Sequence, residues 1–240
     1  MTDWKRLLED GGIDLPQDRL GALEIYHRML IAWNERMDLT SVPDGEMPAR
    51  HFLDSLLPLR EARFFPAGCR LIDVGTGAGF PGLALAAARP DLQVTLLEAQ
   101  HKRCQFLRAV KDQLGLERVE VIQERAEVLG HDPAHREQYD RAVARAVAGL
   151  NVLCEYLLPF VRVGGYALCW KGPAVDREMA DGRAAAQALG ARVEDAVALP
   201  CQALEGQHVL VPVHKIQKTL PQYPRKNGIP AKRPLQSGKT

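Results

Sequence analysis

The residues best placed for chemistry lie in one run, Asp73-Val74-Gly75-Thr76-Gly77-Ala78-Gly79-Phe80-Pro81-Gly82. An acid at the end of an apolar stretch is followed by three glycines at alternate positions. Glycine reaches φ > 0 and lets backbone approach a ligand closely. The helical sequence behind it, Leu83 to Arg89, turns N–H groups and a positive dipole end toward an anionic group. Asp73 could accept a hydrogen bond from a cationic amine or a nearby amide. A plain strand-to-helix turn is the simplest alternative. Gly77, Gly79 and Gly82 also read as GxGxxG, a dinucleotide fingerprint that is weak alone. Glu98 closes the next apolar run, 23 positions after Gly75. A carboxylate there can accept bonds from both hydroxyls of a ribose. No base–nucleophile pair stands out, so no catalytic side chain is expected.

The elements that must position this run alternate in type. A short helix over 4–9, a long one over 17–37 and a third near 49–63 come first, the second with apolar residues at helical spacing. Strands are then expected at 69–74, 93–97, 119–123, 139–144 and 166–170, with helices at 80–89, 101–114, 149–161 and 174–189. Two last strands, about 193–199 and 208–214, have no helix between them, so they form a hairpin. β-α alternation gives a doubly wound, mostly parallel sheet. Three segments are expected: a helical cap at 1–66, the sheet domain at 67–215 and a basic tail at 216–240.

The chain has 240 residues, 46% of them hydrophobic, enough for one well-buried α/β domain and an appendage. Its five cysteines stand at 69, 104, 154, 169 and 201 with no CxxC and no histidine cluster. That argues against a disulfide framework or a metal site and for a reducing compartment. No signal-peptide core and no membrane-spanning run is visible, so the cytoplasm is expected. Net charge is +1, unevenly spread. From Gly206 onward seven of the 31 Lys/Arg occur with no acid, leaving 24 against 30 acids, a net −6, over the other 205 residues. A basic tail on an acidic body suggests a polyanionic partner; a solvated end is the alternative.

The closing hairpin separates two ligand classes. Dinucleotide-binding domains continue into a second βαβ half, whereas the chain resembles methyltransferases that end a seven-stranded sheet with an antiparallel strand. Asp73 to Gly82, Leu97-Glu98-Ala99, Arg125-Ala126-Glu127, Ala144-Arg145-Ala146 and Pro224-Arg225-Lys226 to Pro230-Ala231-Lys232-Arg233-Pro234-Leu235 occur in the order seen in the RsmG (GidB) family. These are the bacterial 16S rRNA guanine-N7 methyltransferases. Trp33-Asn34 and His51-Phe52-Leu53-Asp54-Ser55 are similar to the family's N-terminal helices. The resemblance spans nearly the whole chain. It implies a Rossmann-like class I S-adenosylmethionine-dependent methyltransferase fold: a seven-stranded, mostly parallel sheet with an antiparallel last strand, preceded by a helical cap.

It implies S-adenosylmethionine as cofactor, held by Asp73, Gly75, Gly77, Gly79, Phe80, Glu98, Ala126, Glu127 and Arg145. The glycines would pass beside its amino-acid end, Glu98 would take the ribose, and Ala126-Glu127 would read the adenine. Arg145, at the sheet's carboxyl edge beside Val143 and Val147, needs an anion: the methionine carboxylate, an RNA phosphate or Asp73, or else a plain internal ion pair. Lys171, Arg225, Lys226, Lys232 and Arg233 would meet RNA. The partner implied is 16S rRNA or a small ribosomal subunit particle, not DNA or a membrane, with a monomer as the default. His51, Asp54 and Asn34 are further candidates; His51 and Asp54, three apart on one helical face, could simply hold the cap against the sheet. Asp38 departs from the family's usual Asn, and an acid there would repel phosphate. No Asn/Asp-Pro-Pro-aromatic run follows the strand that ends at 144, which counts against exocyclic amine chemistry. A methyltransferase for protein or small molecules, an NAD oxidoreductase and a non-catalytic rRNA-binding factor are the alternatives.

Overall fold

A computed structural model describes residues 2–236 and 238. Met1 of the expected cap and Ser237, Lys239 and Thr240 of the expected tail lie outside the described residues. The cap consists of α1 (Trp4–Asp10), α2 (Gln17–Met37) and a third helical stretch. That stretch opens with a π-turn at Pro48–Leu53, continues as α3 (Asp54–Leu56) and ends in a 3₁₀ turn at Leu57–Arg60, three residues short of the expected end. Asp38 ends α2 in the left-handed region, φ 48°. Asn and Asp both tolerate that conformation, so backbone geometry accounts for either residue here.

The sheet follows as β1 (Arg70–Val74), α4 (Gly82–Ala88), β2 (Gln93–Glu98), α5 (His101–Gln113), β3 (Val119–Gln123), α6 (Ala126–Leu129), β4 (Tyr139–Arg145), α7 (Leu150–Leu157) and β5 (Val161–Lys171). A 3₁₀ turn at Val175–Glu178 leads into α8 (Met179–Ala188). β6 (Ala191–Val193), β7 (Val197–Ala198), β8 (Val209–Lys215) and a last short helix, α9 (Ile229–Lys232), complete the chain. The strand order is β3-β2-β1-β4-β5-β8-β6, with β7 also on β8. β1 to β5 pair in parallel, and β8 runs antiparallel to β5, β6 and β7.

Two expectations about strands are corrected. β5 begins five residues early because Val161 already pairs with Tyr139, with a register shift before Arg141. The strand expected at 193–199 is split. From Val193↔Val213 to Val197↔Leu210 four residue steps oppose three, so one residue bulges. Pro212 lies in that gap and has no N–H to donate.

β1 is apolar on both faces because both faces are covered. Alternate side chains divide between two cores. Leu71 faces the cap, α4 and α5, whereas Ile72 and Val74 face α7 and α8. Tyr26 and Phe52 of the cap share their core with Phe80, Leu83, Leu96 and Phe106. Phe80 stacks on Tyr26 at 5.3 Å and meets Phe52 edge-on at 5.0 Å. The cap is therefore one wall of the sheet domain's own core.

Candidate functional site

The chain leaves β1 toward β2 and β3, then returns to β4 on the other side of β1. Ligands of open α/β sheets bind outside the carboxyl ends of the strands at such a switch point. A cleft of about 580 Å³ lies there. Its lining includes Gly75, Gly77, Phe80, Glu98, Ala126, Glu127 and Arg145, seven of the nine residues expected at a cofactor. Following the strand order, the cleft's floor runs from Glu127 after β3, past Glu98 and the glycine turn, to Arg145 at the end of β4.

Asp73 and Gly79 lie outside the cleft lining. Asp73 is buried, and its Oδ2 accepts from the Thr76 hydroxyl at 2.5 Å and the Gly82 N–H at 2.7 Å. It ties the two ends of the glycine turn to the strand. Burial raises its pKa to about 6, against those bonds. Gly79 has φ 98°, and a Cβ there would strike the Tyr26 hydroxyl and Leu83. Its absent side chain serves packing against the cap. Gly77, at φ 60°, differs: nothing lies within 4 Å of a Cβ built on it, so its open side belongs to the cleft.

Glu98 is buried and fixed at both oxygens. Oε2 accepts from the Gly77 N–H at 3.0 Å and Oε1 from the Gln100 N–H at 2.8 Å, with Arg103 3.8 Å away. Each carboxylate oxygen can accept two bonds, so each keeps one site for a hydroxyl. Glu127 is buried too, and its Oε1 accepts from the Gly228 N–H at 2.9 Å. Tyr156 on α7 also lines this end. Burial and then Glu127 raise its pKa.

Arg145 forms the internal ion pair weighed as an alternative, with Asp54 as its partner. Its Nη1 donates to Asp54 Oδ2 at 2.7 Å and to the Arg50 and His51 carbonyls at 2.9 and 3.2 Å. Its Nη2 donates to His51 Nδ1 at 3.1 Å, and the guanidinium lies 5.2 Å from the Phe80 ring centre. The π-turn in the cap presents His51 and Asp54 together to this one side chain. Asp54 Oδ1 meets His208 Nδ1 at 2.7 Å, and its carbonyl accepts from Trp170 Nε1 at 3.0 Å. Burial works to raise the Asp54 pKa, but the His208 bond and the Arg145 charge hold it below the usual range. The same bond raises the His208 pKa. Burial, and then Arg145, push His51 down to about 3. After Arg145 the backbone turns through Ala146 at φ 56°, a left-handed position that alanine adopts at some cost. Ala146 and Val147 thereby enter the cleft wall.

Two residues expected at RNA are otherwise engaged. Lys171 Nζ lies 2.7 Å from Glu178 and donates to the Ala148 carbonyl at 3.1 Å, with its side chain 11% exposed. Arg225 binds buried Glu155 through its guanidinium at 2.6–3.1 Å and its amide at 2.8 Å. Each is held by a carboxylate, fully buried in the case of Glu155 and partly exposed in that of Glu178. Lys226, Lys232 and Arg233 are exposed. The segment they belong to is hydrogen-bonded to the body. Arg136 donates to the carbonyls of Thr219, Leu220 and Tyr223, His131 meets the Pro224 carbonyl, and Asn151 donates to that of Leu235. Ala231 thereby reaches the cleft lining.

Sequence reasoning missed Thr40, Arg103, Tyr156 and Ala231 as lining residues. Thr40 had a signal, the polar exit from α2 that begins at Asn34; Tyr156 had none. Among the described residues no cluster of three His, Cys, Asp or Glu could hold a metal, and no helix is long and apolar enough to cross a membrane.

The profile of a family described as GidB, rRNA small subunit methyltransferase G, matches residues 19–206. The ribosomal RNA small subunit methyltransferase G of Alkaliphilus metalliredigens is 43% identical over 237 residues, covering 97% of this chain and 99% of that protein. Its counterpart in Moorella thermoacetica is 41% identical over 98% of this chain and 100% of that one. Among solved structures, a 16S rRNA (adenine(1408)-N(1))-methyltransferase from Catenulisporales acidiphilia superposes with a TM-score of 0.52 at 17% identity, over 64% of this chain and 88% of its own. M. jannaschii TYW2 in complex with AdoMet gives 0.52 at 16% identity, over 68% and 77%. At those identities the two share the fold with this chain.

Proposed function

The chain belongs to the rRNA small subunit methyltransferase G (GidB) family, and from that premise we propose that it methylates N7 of one guanine in 16S rRNA. It is an S-adenosylmethionine-dependent methyltransferase. The observation that carries the assignment of the cleft is the pair Glu98 and Gly77: a buried carboxylate with an open acceptor site on each oxygen, held by a glycine whose own side faces empty space. That arrangement of acceptors and space fits a ribose and the amino-acid end of the cofactor. Glu98 would hold the ribose hydroxyls, Ala126, Glu127 and Tyr156 would border the adenine, and Gly75 and Gly77 would border the methionine portion.

When bound, S-adenosylmethionine supplies an electrophilic methyl group: the N7 lone pair forms the new C–N bond as the S–C bond breaks, leaving a thioether and a cationic base. Guanine N7 carries no proton, so none of this chain's residues must act as a base. Their work is alignment and exclusion of water, which can supply roughly 7–11 kcal/mol of the barrier. The wall formed by Phe80, His51 and Arg145 is stiff, because each side chain is packed or bonded on the cap. The target base must leave its stack to enter. Lys226, Lys232 and Arg233, exposed on either side of Ala231, would meet phosphates beside the cleft. Neutralising three of them to Gln should weaken RNA binding and flatten its salt dependence by about 0.7–0.9 per lost contact.

The test is methyl transfer from labelled cofactor to unmodified free 16S rRNA and to small-subunit particles, with digestion and mass analysis. Label in 7-methylguanosine at one position is the expected result. Cofactor binding with no label in either RNA would overturn the reading.

A further inference from the structure

The cleft wall opposite the Glu98 and Glu127 end holds one hydroxyl whose hydrogen-bonding direction is dictated by its neighbours. Thr40 Oγ1 accepts from the Val42 N–H at 3.1 Å and lies 2.7 Å from His51 Nε2. The tautomer of His51 is fixed from its other side. A guanidinium has donors only, so the contact of Arg145 Nη2 with His51 Nδ1 makes Nδ1 an acceptor. The ring is therefore neutral with its proton on Nε2, and Nε2 donates to Thr40. Asp54 and two carbonyls hold Arg145 in that orientation. Asn34 clamps the Thr40 backbone, Nδ2 donating to its carbonyl at 3.0 Å and Oδ1 accepting from its N–H at 2.9 Å.

A hydroxyl oxygen accepts two bonds and donates one. Both acceptor sites of Thr40 are taken, and Thr40 lines the cleft. What it offers a ligand is a proton alone. Resting on the reading of the cleft as a guanine-N7 methylation site, we propose that Thr40 selects guanine by donating to O6 of the acceptor base. On the edge that carries N7, guanine presents the acceptors N7 and O6, whereas adenine presents N7 and an N6 amino donor. A donor-only hydroxyl beside N7 bonds the first and confronts the second with another donor. It cannot serve N7 itself, since that lone pair makes the new bond. Thr40 is the contact; His51, Arg145 and Asn34 are positioning residues that set its polarity and place.

The experiment uses whichever RNA substrate accepts methyl, prepared with guanine or 2-aminopurine at the mapped position; 2-aminopurine keeps N7 and lacks O6. Full-length wild type, Thr40→Ser and Thr40→Val are compared by kcat/KM, and by Kd in the presence of S-adenosylhomocysteine. Wild type and Thr40→Ser should favour guanine by about tenfold or more. Thr40→Val should lose about that factor on guanine and little on 2-aminopurine, so that the ratio falls to about one in both measurements. Equal losses on both bases, or no loss on guanine, would overturn the assignment of Thr40 while leaving the methylation reading intact. Failure of wild type to methylate guanine in any RNA, with the cofactor bound, takes down both.

Discussion

The two sides of the cleft solve opposite problems with the same residue types. On the β1–β3 side, Glu98 and Glu127 are buried carboxylates held by backbone N–H groups, with acceptor sites left for a ligand. On the cap and β4 side, the buried carboxylate Asp54 is spent on Arg145 and His208, and the cluster is closed except at Thr40. One side accepts hydrogen bonds from whatever enters; the other donates one. Burial alone does not tell these roles apart, but the partner does. By bond count the two are alike, one per oxygen; Glu98 lines the cleft with its free lone pairs, whereas Asp54 lies outside the lining and its charge is saturated by a guanidinium and an imidazole.

The most severe way to break the contrast is to put an acid on the accepting side. Gly77→Asp places a side chain at φ 60°, where only open cleft lies before it, beside Glu98. Like-charge repulsion and occupation of the open cleft by the new side chain should together lower cofactor affinity on the order of a hundredfold or more. Calorimetric titration with S-adenosylhomocysteine reads this, while thermal unfolding should change little. On the saturated side the sign is reversed, and stability suffers first. Arg145→Ala leaves Asp54 buried with His208 as its remaining charged partner. It should cost about 3 kcal/mol of folding stability, a drop in Tm of roughly 6–12 °C. Adding Asp54→Asn should restore part of it. An unchanged Tm in Arg145→Ala would show that the cluster is not a closed ionic network.

The same contrast explains what was legible in the sequence. The accepting side is local: Gly77 and Glu98 are 21 positions apart on successive β-α units, and strand ends, glycines and terminal acids all leave marks in one dimension. The fold followed from the same periodicity, down to the bounds of α2 and β3. The saturated side pairs residues 91 and 154 positions apart, and nothing in the run around Arg145 points to Asp54 or His208. The bonds of Asp73 are hidden from the sequence for a related reason. An acid ending β1 looks like a ligand until Gly82, nine positions later, turns its N–H back onto it. In the basic tail, a count of charge does not show which charges have partners. Glu155 lies on a mostly apolar helix, and only the fold brings it to Arg225.

That tail sharpens the comparison, since it reaches the accepting side from outside through Gly228 and Glu127. Arg225→Ala strips the buried Glu155 of its charged partner and should cost about 2 kcal/mol. The loss should be local, because the segment beyond β8 adds only the partly buried Tyr223 and Leu235 to the edge of one core. Limited proteolysis should cut Arg225→Ala between Leu220 and Lys232 well before the rest of the chain, and cofactor affinity should fall only a few-fold. Cleavage spread over the whole chain would mean instead that the tail is part of the global folding unit.

The smallest effect expected is a pH dependence, and it separates two histidines of one network. His51 has a folded pKa of about 3, below its ordinary value near 6.5. The unfolded chain binds that proton more readily, so its contribution to stability is lost as pH falls from about 6.5. His208 runs the other way. Its bond to Asp54 raises the folded pKa, so its contribution is fully present below about pH 6.5 and is lost as pH rises through the raised value. Asp54, with a lowered folded pKa, loses its share only as pH falls below about 4. Between pH 6.5 and 9 His208 therefore supplies the network's downward slope. His208→Gln should keep a bond to Asp54 through its amide, be less stable than wild type near pH 6, and flatten the fall in urea midpoint above it. An identical slope in both proteins would remove His208 from the ionic cluster and leave Arg145 as the sole charge that Asp54 answers.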